Sequence, residues 1–136
     1  FPTSLGMSLH SSSLENHSRK FIVENYDNLM VGMCQTPSLR RCLYLMIRQN
    51  STYFAFFADD CWSTLIVPLN QWHHFAFVYD YTAMTQYIYL NGVLTCSHGS
   101  SGPFLATTGA ITIGAINNTG TTPYYFWTGY LDDVQY

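Results

Sequence analysis

The side chains best equipped for chemistry in this chain of 136 residues are aromatics, carboxylates and cysteines. Tyr124, Tyr125 and Trp127 follow the Asn-rich stretch 117–123 and form the densest aromatic cluster. Sugar rings present C–H faces that stack on Tyr and Trp, while Asn, Asp and backbone groups take the hydroxyls, so these three are the candidate glycan-binding residues. Tyr44, Tyr53, Phe75, Phe77, Tyr87 and Tyr89 would line one sheet face if their strands are neighbours; otherwise they are core.

The acids offer less. Asp59-Asp60 and Asp132-Asp133 are adjacent pairs, and neighbours on a strand point to opposite faces, so neither pair is itself a catalytic dyad. His73-His74 fails as a zinc pair for the same reason. The chain has no Gly-x-Ser-x-Gly elbow, Cys/His protease signature, phosphate loop or dinucleotide fingerprint. The expectation is a protein that is not an enzyme and has no catalytic residues.

These side chains must be positioned by strands. Residues 71–80 alternate with period two, placing Trp72, His74, Ala76 and Val78 on one face and His73, Phe75, Phe77 and Tyr79 on the other. A strand apolar on both faces belongs in the middle of a layered β structure. Asn91-Gly92 between apolar alternations predicts a type I′ hairpin. Residues 19–24, 29–34, 42–48, 52–58, 64–67 and 110–116 read as further short strands, and 1–18 as Ser-rich and turn-like. No helix of substance is visible, and the pattern is that of an all-β, antiparallel two-sheet sandwich.

Pro68-Leu69-Asn70-Gln71-Trp72-His73-His74-Phe75-Ala76 and Tyr89-Leu90-Asn91-Gly92-Val93 resemble the signature of laminin-G-like, concanavalin A-like jelly-roll domains. Ile111-Thr112-Ile113-Gly114 and Phe126-Trp127-Thr128-Gly129-Tyr130-Leu131-Asp132-Asp133-Val134 resemble that family's later strands, so the likeness covers about residues 66–136. It implies one laminin-G-like jelly roll over 1–136, trimmed at both ends relative to the family, with either a longer parent chain or a neighbouring molecule completing the sheet. It implies His74 as the core-facing histidine and backbone-bonding roles for Asp132 and Asp133. The related glucanases carry clustered Glu and Asp on one strand, which this chain lacks. Related domains also hold Ca²⁺ at a loop edge, and Asp59, Asp60 and Asp80 are the candidate ligands if their loops converge. The cofactor expectation is therefore none, or Ca²⁺.

Composition bounds the rest. The chain is 48% hydrophobic and 17% aromatic, which excludes disorder, and only 10% charged. Its net charge is −3, with all five Lys and Arg before residue 49, so nucleic acid is not an expected partner. Four widely spaced cysteines without a C-x-x-C pair argue for disulfides in an oxidising compartment. Three connectivities are open; the favoured one joins Cys34 to Cys42 and Cys61 to Cys96. Sequons at Asn16, Asn50 and Asn117 point to N-glycosylation and secretion. No apolar run is long enough to span a membrane. The expected function is an extracellular adhesion or binding module for glycans or glycoproteins. The rivals are a homo-oligomeric structural subunit pairing through open sheet edges and a calcium-dependent binder.

Overall fold

In the computed structural model, which describes residues 4–12, 27–117 and 124–135, the alternation along 73–80 sets the layers. His73, Phe75, Phe77 and Tyr79 are buried, and the residues between them lie half-buried on the opposite face. Among the described residues, ten strands follow in chain order: β1 (Ser4–Ser12), β2 (Asn28–Cys34), β3 (Cys42–Arg48), β4 (Ser51–Ala55), β5 (Asp60–Ile66), β6 (His73–Asp80), β7 (Thr85–Leu90), β8 (Val93–Gly99), β9 (Thr112–Ile113) and β10 (Tyr130–Gln135). They form two five-stranded sheets, ordered β10-β1-β6-β7-β8 and β5-β4-β3-β2-β9, with every pairing antiparallel.

Between the sheets lies a core that includes Leu45, Phe54, Phe56, Phe75, Phe77 and Ile88. Phe54 of one sheet meets Phe77 of the other edge to face, with centroids 5.9 Å apart. The outer face of the second sheet is also apolar, with Leu29, Tyr44, Met46, Tyr53, Ala55 and Ile116 forming a separate buried cluster. Both faces of β3 are thus buried.

Turns follow backbone chemistry. Asn91 and Gly92 take φ of 50° and 80°, as the type I′ expectation requires. Gln49 and Asn50 do the same between β3 and β4 without a glycine. Residues 52–58 do not form one strand, because Phe57 and Ala58 turn left-handed at 64° and 59°. β5 instead begins earlier, at Asp60. The expected strand over 110–116 shortens to Thr112–Ile113, since Gly114 takes φ of 77°.

The turn-like reading of 1–18 is corrected within the described residues. Ser4–Ser12 is a strand between β6 and β10, with Leu5, Met7 and Leu9 in register with Tyr79, Phe77 and Phe75. In the sequence, Leu5, Met7 and Leu9 recur with period two among the serines, the spacing a strand requires. The expected strand 19–24 lies outside the described residues.

Cys34 is disulfide-bonded to Cys42 across β2 and β3, and Cys61 to Cys96 across the edges of the two sheets. The second bond closes a separation of 35 residues, for which chain entropy gives about 4 kcal/mol of stabilisation.

Candidate functional site

Alternation along β3 directs Tyr44, Met46 and Arg48 to the outer face of the second sheet. Strand pairing sets Tyr53 of β4 opposite Met46. The left-handed turn after β4 carries Phe57 and Ala58 to the same surface. Chain beyond β9 then folds back over it. Ile116 and Tyr124 exchange both backbone hydrogen bonds, and the Leu29 amide donates to the Tyr125 carbonyl at 3.0 Å. Tyr44, Met46, Arg48, Tyr53, Phe57, Ala58 and Tyr125 line a cavity of about 210 Å³.

The walls are held by ring contacts. Tyr44 meets Tyr125 edge to face at 6.4 Å, and Tyr125 meets Tyr124 at 4.5 Å. Tyr124 also shares a hydrogen bond with Tyr44, and burial pushes its phenol up. Beside the cavity the half-exposed Trp62 of β5 stands edge-on to Tyr53 at 5.9 Å, extending the aromatic surface.

The single cation of this site is paired with a carboxylate. Arg48 donates from Nε and Nη2 to the two carboxylate oxygens of Asp27, at 2.8 and 2.5 Å. The hydrogen bond to Asp27 holds its guanidinium charged. Burial, then hydrogen bonding to Asp60, pushes the Tyr53 phenol well up, so it remains a neutral donor.

Of the three expected glycan-binding aromatics, Tyr125 lines the cavity and Tyr124 supports it. Trp127 instead packs against the core between the sheets. The six further aromatics do not share a face. Tyr44 and Tyr53 lie on the outer face of the second sheet, Phe75 and Phe77 in the central core, and Tyr87 and Tyr89 half-buried on the other face of β7. Met46, Arg48, Phe57 and Ala58 were not anticipated. The period-two pattern Tyr44, Met46, Arg48 was the available signal.

The expected metal ligands are occupied separately. Asp59 is buried and accepts from His98 Nε2 at 3.1 Å, from the hydroxyls of Ser100 and Ser101, and from the Ser101 amide. Asp60 accepts from the Tyr53 hydroxyl and the Asp59 amide. Asp80 caps the following turn through the amides of Thr82 and Ala83. Among the described residues no three His, Cys, Asp or Glu side chains converge on a common point.

The assignment of His74 as the core histidine is corrected, because the buried ring is that of His73. It donates to the Pro68 carbonyl at 2.7 Å and accepts from the Asn91 side-chain amide at 3.2 Å. The neighbouring His74 points to the other face, and its backbone meets Asn91 twice: its amide donates to the Asn91 side-chain oxygen at 2.9 Å and its carbonyl accepts from the Asn91 amide at 2.8 Å. Asp132 accepts from the backbone amide of Asp133 at 2.9 Å. Of the sequon residues, Asn50 sits in the β3–β4 turn, Asn117 is exposed, and Asn16 lies outside the described residues.

Two antiparallel five-stranded sheets around a common core define a jelly-roll sandwich. The chain belongs to the concanavalin A-like lectin/glucanases superfamily, whose laminin G-type family matches residues 11–136. Among solved structures it is similar to a candidate carbohydrate-binding protein from Bacteroides ovatus, with 17% identity and a TM-score of 0.67. That match covers 97% of this chain and 36% of the other. It is also similar to the heptameric SAP-like pentraxin of Limulus polyphemus, with 15% identity and a TM-score of 0.65, over 98% of this chain and 63% of the other. The chain thus spans under two thirds of the length of either. No curated protein sequence matches it.

Proposed function

We propose that this domain is a non-catalytic carbohydrate-binding module, working in adhesion or recognition outside the cell. The observation that carries the reading is the cavity whose walls are Tyr44, Tyr53, Phe57 and Tyr125. Aromatic faces with a few fixed polar groups match the amphipathic surface of a sugar. The Bacteroides ovatus neighbour adds weight through its described role in carbohydrate binding.

Hydrolysis is disfavoured by the acids at hand. Glycosidases need two carboxyl groups flanking the scissile bond, one of them a general acid with a raised pKa. Asp27 is forked by Arg48, Asp60 is bonded to Tyr53, and the carboxyl of Asp59 is lowered rather than raised. Because the candidate calcium ligands are satisfied by protein donors, recognition is proposed to proceed without a resident cation. Two disulfides and the sequons at Asn16, Asn50 and Asn117 support glycosylation in a secretory route. No helix among the described residues is long and apolar enough to cross a membrane.

A glycan array probed with the oxidised protein and with Tyr125→Ala tests this reading. Saturable signal abolished by the substitution supports it. Signal that survives the substitution moves the site elsewhere, and a blank array overturns the reading.

Self-association is the second reading, favoured by one edge. β8 closes its sheet with Val93 and Leu94 exposed, and no Lys, Arg, Asp or Glu occurs from residue 81 to 131. An edge without charges lacks the usual protection against pairing with a second copy. Sedimentation velocity over a range of concentrations checks it, and a monomer throughout rules it out.

A further inference from the structure

The chemistry of the cavity narrows its ligand, given the carbohydrate reading above. Arg48 commits Nε and Nη2 to Asp27, and Nη1 has no protein partner among the described residues. A strong donor is therefore fixed in a wall that is otherwise aromatic and aliphatic. An acceptor that meets Nη1 gains a charge-assisted hydrogen bond without any need to reorient the arginine.

The sign of that acceptor follows from the surrounding charges. The Arg48 cation is balanced by Asp27, and Asp60 adds a second carboxylate through Tyr53. An anionic ligand would face two negative groups for one positive group and would lose its own hydration on entry. A neutral acceptor escapes both costs. Size sets a further limit, since about 210 Å³ lies below the roughly 300–1,000 Å³ of pockets for drug-sized ligands. The space suits one sugar ring, or one substituent with part of its ring.

Met46, Phe57 and Ala58 offer no polar side-chain partner, so a hydroxyl turned toward them would be desolvated without a hydrogen bond. A methyl group would not. We propose that the cavity receives the acetamido group of an N-acetylated hexose. Its carbonyl oxygen accepts from Arg48 Nη1, its methyl packs against Met46, Phe57 and Ala58, and the sugar ring lies against Tyr125 and Tyr44.

The test is a titration series on the wild-type protein, followed by calorimetry and by the tyrosine resonances in NMR. The probes are the methyl glycosides of N-acetylglucosamine, N-acetylgalactosamine, glucose, galactose and glucuronic acid. At least one N-acetyl sugar is expected to bind roughly tenfold or more tightly than its parent hexose, the scale of one hydrogen bond to a charged donor plus a buried methyl. Arg48→Lys retains the positive charge near Asp27 but removes the planar fork. It should abolish the preference while the far-UV spectrum stays unchanged. Equal affinity for an N-acetyl sugar and its parent overturns the acetamido assignment and leaves a sugar site standing. Tightest binding of the glucuronide overturns it in favour of a carboxylate ligand. Failure of all five probes, together with a blank glycan array, overturns the carbohydrate reading as well.

Discussion

The guanidinium carbon of Arg48 lies 4.6 Å from the centre of the Tyr53 ring, and the Tyr53 hydroxyl donates to Asp60 at 2.6 Å. With Asp27 paired to Arg48, four side chains form a continuous chain through an ion pair, a cation–π contact and a hydrogen bond. Each link restrains its neighbour, so one wall of the cavity is ordered before any ligand arrives. Such preorganisation lowers the entropic cost of binding.

Tyr53→Phe separates the structural part of this chain from its recognition part. The substitution removes the bond to Asp60 and keeps the ring under Arg48. It should destabilise the fold by about 1.5–3 kcal/mol in urea titrations, the usual scale for a hydrogen bond to a charged acceptor. Sugar affinity should be retained. A loss of affinity matching that of Tyr125→Ala would place the Tyr53 hydroxyl on the ligand.

Trp127→Ala and Tyr125→Ala should behave oppositely despite lying two residues apart. Trp127 packs against the central core, so its truncation should cost about 2–4 kcal/mol of stability. Binding should remain saturable below the lowered melting temperature. Tyr125 lines the cavity, so its truncation should abolish binding with a smaller effect on stability. Melting curves and glycan titrations on both variants distinguish the two roles.

This contrast shows what could be read from the chain and what could not. The alternation along 73–80 and the Asn91-Gly92 turn are local patterns, and both were legible. The two disulfide pairings present are the ones favoured from the sequence. The cavity is non-local, because it needs β3 beside β4 and residues 124–125 returned over the sheet from beyond β9. Nothing in the run Tyr124-Tyr125-Phe126-Trp127 marks the side of the sheet on which each ring falls. The histidine assignment failed although the alternation placed His73, not His74, on the face of Phe75 and Phe77; the ring contacts with the Pro68 carbonyl and the Asn91 amide that satisfy His73 there are non-local.

Calcium should leave stability unchanged. A cation bound only by the folded state would raise the melting temperature by mass action. Asp59, Asp60 and Asp80 already accept hydrogen bonds from separate protein donors, so binding would require breaking those bonds. Equal melting temperatures in millimolar calcium and in chelator are expected. A calcium-dependent rise would reassign these acids as ligands.

Acid should weaken the junction between β8 and the β4–β5 turn, and Asp59 should be responsible. Burial pushes this carboxyl up, but hydrogen bonds from Ser100, His98 and Ser101 outweigh burial and hold it below its ordinary value. A folded-state pKa below the unfolded one means that the unfolded chain takes up the proton more readily. The stability contributed by Asp59 is therefore fully present above the unfolded carboxylate value of about 4. It is lost as pH falls through the lower folded value. Asp59→Asn keeps the shape and removes the charge, so at neutral pH it should cost about 1–3 kcal/mol. The gap between wild type and variant should close as the solution is acidified and the wild-type carboxylate takes up its proton. Urea unfolding of both proteins across an acid series measures that gap directly. A gap that stays constant would assign the loss to hydrogen-bond geometry rather than to charge.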